Sequence, residues 1–257
     1  MLADKGNMMA SLREILFSVE QELQVKRCRD YAPNGLQVEG RAEVGKLVSG
    51  VTASLEFIDR ALAVGADALL VHHGYFWRGE DACITGMKKK RLQRLLSADV
   101  SLLAYHLPLD LHARLGNNRQ LADRLGWSIV AELEGEGMTG LHGEVAACSV
   151  TTLAQQLQSV LGHVPQVIAA GPAQIRRLGW CTGAAQDLIG AAAALQLDAY
   201  ISGEISERTV HEARELGIHY LAIGHHASER YGVQALGEWL AARHGIEHQF
   251  IDCPVPV

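Results

Sequence analysis

The 257-residue sequence predicts an α/β protein of two similar βαβ-containing half-domains with a small α+β segment in the middle. Three observations carry this. Lys46 to Val51 and Ala66 to Val71 are apolar runs of strand length, and Ser54 to Val64 between them reads as a helix, N-capped by Ser54. Continuous apolar strands of this kind belong to sheets covered on both faces. The pattern also recurs: Leu47 to His73 falls on Leu178 to Glu204 without a gap, 131 residues later, with Asp67-Ala68 on Asp198-Ala199, Ile58 on Ile189 and Leu70 on Ile201. A second match, at an offset of 119, sets Leu102 on Leu221, His106 on His225 and Asp110 on Glu229. The halves are expected at residues 1–128 and 129–257, the second containing the middle segment.

In chain order, Met8 to Val25 repeats apolar residues at three- and four-residue steps (Leu12, Ile15, Leu16, Val19, Leu23), the period of an amphipathic helix. Pro33-Asn34-Gly35 is a turn before a short strand. After the βαβ unit come an aromatic loop (Tyr75-Phe76-Trp77), a helix from Met87 to Ser97 and a strand from Ser101 to Tyr105. Gly116-Asn117-Asn118 opens a further helix through Leu121 to Leu125. From Ile129 to Arg177 the character changes. Acidic, glycine-bearing pieces (Glu132 to Gly137) precede a strand Gly143 to Cys148, a helix Thr152 to Leu161 and a strand Gln166 to Ala170, which form an insertion or continue the sheet. A helix from Glu229 to Arg243, stopped by Gly245, and a strand His248 to Ile251 close the chain.

Composition narrows the function classes. With 48% hydrophobic residues and a net charge of −6, the chain is a globular protein and not a nucleic-acid binder working through a broad basic face. The one basic run, Lys88-Lys89-Lys90-Arg91, reads as a solvated helix face. Five cysteines without a CxxC pair (Cys28, Cys83, Cys148, Cys181, Cys253) read as free thiols. No stretch has the apolar length of a membrane span, and no signal-peptide core follows Asp4 and Lys5, so a soluble, cytoplasmic protein is expected.

The chemistry concentrates at strand ends. His72-His73 closes one apolar run, His225-His226 follows another, and His106 and Asp110 follow a third, so four of the twelve histidines sit in two pairs. Ligands bind at the C-terminal ends of strands in open α/β sheets. His72, His73, His106, Asp110, Glu204, His225, His226 and Glu229 are imidazole and carboxylate donors without thiolate, a set that suits Fe, Mn, Zn or Co. Two facing halves would make one metal cleft of these edges.

Side chains adjacent on a strand point to opposite faces, so His72 and His73 serve two ions more easily than one, with Asp110 and Glu229 able to bridge. Two ions about 3.5–4 Å apart clamp and activate water and polarise a phosphate, C=N or C=O group. Two carboxylates against four positive charges leave a residue that favours an anionic substrate. His106 and His226 are ligands or hydrogen-bond partners of ligands. Glu204 has an alternative role as a helix cap. The remaining histidines, His112, His142, His163, His211, His219, His244 and His248, read as structural or solvent-facing. Tyr75-Phe76-Trp77 reads as a packed lid base before a base-stacking platform, and the Thr182-Gly183-Ala184-Ala185-Gln186 turn is a weak phosphate-binding candidate.

Several motifs together resemble one family: Asp30 to Gly40 (DYAPNGLQVEG), Gly50-Val51-Thr52-Ala53-Ser54, Val71-His72-His73-Gly74, His106-Leu107-Pro108-Leu109-Asp110, Gly116-Asn117-Asn118 and Gly224-His225-His226-Ala227-Ser228-Glu229. Over nearly its whole length the chain is similar to the dinuclear-metal GTP cyclohydrolase 1 type 2 homologues, the NGG-one-interacting-factor-like family, in its short bacterial form. The resemblance implies two divalent ions per subunit (Fe, Zn, Mn or Co) on His72, His73, Asp110, His225 and Glu229, with His106 and His226 outside the ligand set as proton-shuttle candidates. It also implies a homohexameric ring with interior sites and metal-dependent hydrolysis of a nucleotide-like substrate, GTP ring opening being its most specific form. A metal-binding scaffold without catalysis is the alternative.

Overall fold

The computed structural model describes residues 9–135 and 138–256, a mixed α/β fold. In chain order its elements are β1 (Ala10–Ser11), α1 (Leu12–Leu23), β2 (Gly35–Val38), β3 (Glu43–Val44), β4 (Lys46–Thr52), α2 (Leu55–Ala63), β5 (Ala68–His73), α3 (Gly86–Ala98), β6 (Ser101–Ala104), α4 (Leu107–Asp110), α5 (Asn117–Leu125), β7 (Ser128–Gly135), β8 (Met138–Cys148), α6 (Val150–Leu161), β9 (Gln166–Ile168), β10 (Ile175–Cys181), α7 (Ile189–Ala194), β11 (Ala199–Ser202), α8 (Glu207–Leu216), β12 (His219–Ala222), α9 (His225–Ser228), α10 (Arg230–His244) and β13 (Glu247–Phe250). The start expected for α1, Met8, and the end of the acidic piece, Glu136-Gly137, lie outside the described residues. All five cysteines are free thiols.

The compact units do not follow a single cut of the chain. One comprises residues 1–115 and 232–253, the other 116–231 and 254–257. Pairing explains the return of the C-terminal stretch: β13 adds in parallel to β4, which draws residues after 231 into the first unit.

The first unit is built on a five-stranded sheet in the order β13-β4-β5-β6-β2. All neighbours are parallel except the antiparallel β2. Successive residues feed opposite faces. Leu47, Leu70 and Leu103 pack with α1 and α10, while Val48, Leu69, Val71 and Leu102 pack with α2 and α3. This is the two-sided burial that continuous apolar strands predict. Ser54 caps α2 by accepting a hydrogen bond from Phe57 N at 3.2 Å.

The second unit carries a six-stranded sheet in the order β7-β8-β10-β11-β12-β9. The middle segment is therefore a continuation of the sheet, because β8 pairs with β10 and β9 with β12. Leu178, Trp180, Ile201 and Leu221 pack with α5 and α6, and Tyr200, Tyr220 and Ala222 with α7 and α8.

Internally the two units repeat the same βαβ unit in the same register. Leu47 pairs with Ala68 as Leu178 pairs with Ala199, an offset of 131 on both strands. Asp67 accepts from the backbone of Gly45 and Lys46, and Asp198 accepts from Arg176 and Arg177, the positions 131 residues on. At the third strand the offset is 118: Leu70 pairs with Leu103, and Ile201 with Leu221. Leu221 thus corresponds to Leu103, not to Leu102 as the sequence match implies. The offset of 118 continues past the strand: His106 precedes α4 and accepts from Asp110 N, as Gly224 precedes α9 and accepts from Ser228 N, so the structure sets His106 on Gly224 and not on His225 as the sequence match implies.

Candidate metal centre

In the first unit the ligand-type side chains gather where β5 and β6 end. His72 and His73 are the last residues of β5, and His106 follows β6 by two residues. Strand alternation predicts that adjacent rings diverge, yet the rings of His72 and His73 lie 4.6 Å apart, tilted by 46°. His72, His73 and His106 each offer a ring nitrogen within 4.8 Å of the others. The four-residue α4, opened by Pro108, then turns Asp110 back so that its Oδ2 lies 3.4 Å from His72 Nε2.

Each ring is held by its other nitrogen. His72 Nδ1 donates to the carbonyl of Tyr105 at 2.9 Å. His106 Nδ1 donates to the buried Asp30 carboxylate at 3.0 Å. His73 Nδ1 is 3.1 Å from Thr52 Oγ1. A carbonyl or carboxylate can only accept, so Nδ1 of His72 and Nδ1 of His106 are the donors in these bonds. Anchoring of this kind is the usual support of a metal-ligating imidazole. Asp30 also accepts from Ala32 N, Leu107 N and Asn34 Nδ2. Burial works to raise its pKa, but His106, Asn34 and the Ala32 amide together hold the carboxyl well below the usual carboxylate range. Cys28 stays a thiol, since burial first and then Asp30 and Asp110 push its pKa up.

In the second unit His225 opens α9 and Glu229 follows it. Glu204 Oε1 lies 2.7 Å from His225 Nδ1, and Glu229 Oε2 lies 3.0 Å from His225 Nε2. Burial acts to lower the His225 pKa, but the hydrogen bonds and charges of Glu229 and Glu204 outweigh it and raise the ring to about 9. Glu204 is not a helix cap. Ser206 caps α8, accepting from Thr209 N. Gly183 makes room for Glu229: a Cβ there would stand 2.2 Å from Glu229 Oε1.

The first unit thus brings together His72, His73 and His106, with Asp110 beside His72, and the second sets Glu204 and Glu229 on the two nitrogens of His225; imidazole and carboxylate donors of this kind fit a divalent ion such as Fe, Mn, Zn or Co. His226 is buried on α9 and belongs to no cluster of three ligand-type groups among the described residues. Among the histidines set aside, His219 is bonded to Gly171 N and Pro172 O, His248 to Ser49 and His244 to Ser18, all structural roles. The turn at Thr182 does not present an anion nest: its amides are taken by Asn118 Oδ1, Ser228 Oγ and Ser202 Oγ. Asp30, Gly183 and the pairing of Glu204 with His225 were not legible as parts of the site. Only the position of Asp30 at the head of a Pro-Asn-Gly turn hinted at a fixed carboxylate.

The chain is similar over nearly its whole length to several known proteins. A protein from Pseudomonas aeruginosa is 51% identical over 252 residues, covering 97% of this chain and 100% of its own, and one from Escherichia coli K12 is 46% identical over 244 residues, covering 93% and 96%. Both bear the name GTP cyclohydrolase 1 type 2 homolog. Among solved structures, the protein ybgI, of unknown function, superposes with a TM-score of 0.93 at 45% identity, covering 96% of this chain and 100% of its own. TTHA1606 from Thermus thermophilus superposes with a TM-score of 0.88 at 31% identity, with the same coverage. Residues 10–255 match the model of the Duf34/NIF3 (NGG1p interacting factor 3) family, and the chain belongs to that family.

Proposed function

We propose that the protein is a metal-dependent hydrolase of a nucleotide-like substrate, with His72, His73, Asp110, His225 and Glu229 as ligands of two divalent ions. The observation that carries the reading is the anchoring of the rings: His72, His106 and His225 each have Nδ1 held by an oxygen acceptor, and the Nε2 of His72 and of His225 faces a carboxylate, Asp110 and Glu229 respectively. The shared name of the relatives supports a nucleotide-like substrate, with GTP ring opening as the narrowest form. Divalent ions held there supply Lewis-acid polarisation and water activation.

The chain's own residues do the rest. Tyr105 O and Glu204 fix ring tautomers, and Asp30 keeps a proton on His106 Nδ1, so that His106 Nε2 can accept one from a reacting group beside the set. A homohexameric ring with interior sites, in the cytoplasm, belongs to the same proposal. No helix among the described residues is long and apolar enough to cross a membrane.

Metal analysis joined to a turnover screen over nucleotides and other metabolites tests the reading. Wild type should carry two ions per subunit and turn over a nucleotide, and His72→Ala should lose both. A metal-loaded wild type that turns over nothing, with Asp110→Ala indistinguishable from it, sinks the hydrolase reading. Sizing by light scattering tests the ring, which a monomer contradicts.

A further inference from the structure

We propose that Tyr31 and Trp77 form an aromatic wall that seats the planar heteroaromatic ring of the substrate beside His72, His73 and His106. The inference rests on the hydrolase reading and names the residues that recognise its substrate. The two rings lie 5.6 Å apart at 35°, and both stand edge-on to His106 with centroids 5.1 Å away. Trp77 also lies 6.1 Å from the ring of His73. A planar ring stacked here contacts aromatic faces on one side while its edge reaches the imidazole nitrogens. Every heterocyclic base has a π face, which makes such stacking tolerant of the base's identity.

Core packing does not account for these two side chains. Tyr31 is 52% exposed, and Trp77 is half-buried. Their loops are nonetheless held firmly. Arg78 N donates to Tyr31 O at 2.8 Å, and the Arg78 guanidinium reaches Asp30 O. Asp30 itself ties the Tyr31 turn to His106 and Leu107. Trp77 N donates to Glu80 Oε2 at 2.9 Å, and its indole donates to Gly74 O. Lys88 pairs with Glu80 at 3.0 Å and sits 5.0 Å over Phe76.

The backbone between the site and the wall is strained. Phe76 has φ +65°, a left-handed conformation that a bulky residue rarely adopts. The aromatic trio therefore divides. Tyr75 is a buried anchor donating to Ala53 O, Phe76 takes the bend, and Trp77 is delivered to the histidines. Such strain concentrates at ligand clamps, and a fixed, partly exposed aromatic pair binds a planar ring at little entropic cost.

Calorimetric titration of zinc-loaded protein with guanosine monophosphate and, separately, ribose 5-phosphate tests the wall. Wild type should bind the nucleotide more tightly than the sugar phosphate. Tyr31→Ala and Trp77→Ala should each weaken nucleotide binding about tenfold to hundredfold, leaving zinc content and sugar-phosphate binding unchanged. Tyr31→Phe should bind like wild type. Equal nucleotide affinity in wild type and both alanine variants overturns the wall, as does a wild type that binds nucleotide no better than sugar phosphate. Failure of the hydrolase reading shows separately, as absent turnover by wild type and nucleotide binding that survives Asp110→Ala.

Discussion

Glu204 holds His225 from behind, its Oε1 2.7 Å from the ring's Nδ1, and so turns the ring's Nε2 toward Glu229, whose Oε2 is 3.0 Å away. Removing the charge should loosen that hold. Glu204→Gln keeps the shape but no longer demands a donor on Nδ1, and loss of such partners typically costs 10- to 100-fold in metal affinity. Competition of the loaded protein against a chelator measures this. An unchanged affinity would mean that Glu204 only packs.

The same contact makes metal uptake pH-dependent. Without metal, His225 titrates at about 9, so at pH 7 it carries a proton that a ligand imidazole must give up. Because its folded pKa is raised, the stability it adds to the metal-free protein is complete below its ordinary 6.5 and is lost as pH rises through 9. Zinc binding at pH 7 should release close to one proton from this ring, and less at pH 9. Calorimetry in two buffers of different ionisation enthalpy reads the count, and His225→Ala should remove that proton.

How far the sequence disclosed this protein depends on what each face presents. Apolar strands flanked by apolar helices were legible, and so was the repeat, because Asp67 and Asp198 make the same pair of backbone contacts at the same spacing. α8 was not, since its inward face is Thr209 and Ala213, small residues that leave no hydrophobic period. β7 hid likewise, with Leu133 its one buried residue. At the site the donors were legible as residue types at strand ends, whereas their supports were not. Asp30 and Glu204 lie 76 and 21 residues from the histidines they hold, a distance that only the fold closes.

Acid should act on the first unit through His248. Its ring is 2.8 Å from Ser49 Oγ, under α10 where Gly237 leaves no space for a Cβ, and burial lowers its pKa from 6.5 to about 4. The unfolded chain takes up this proton and the folded one does not. Stability is therefore complete above pH 6.5 and falls as pH drops toward 4, by at most about 3 kcal/mol and less for the ring's remaining solvent contact. Burial likewise lowers the pKa of His244, which adds to the slope. Urea unfolding at pH 7.5, 6 and 5 should show the decline, with His248→Gln shallower than wild type. Parallel curves for the two would assign the decline to other groups.

Gly183 separates a conformational requirement from a packing one. Its φ of +72° is open to glycine and strained for alanine, and the added Cβ would meet Glu229 Oε1 at 2.2 Å. Gly183→Ala should therefore destabilise by about 1–3 kcal/mol and, by displacing the carboxylate proposed as a ligand, lower metal affinity as well. Gly190 supplies the contrast. It lies in α7 with nothing within 4 Å of where a methyl would stand and no left-handed backbone, so Gly190→Ala should gain about 0.4–1 kcal/mol through lost freedom in the unfolded chain. Urea unfolding and metal titration of both variants check the pair. If Gly183→Ala lost stability while binding metal as wild type does, Glu229 would have a route around the methyl and the close approach would not matter to the site.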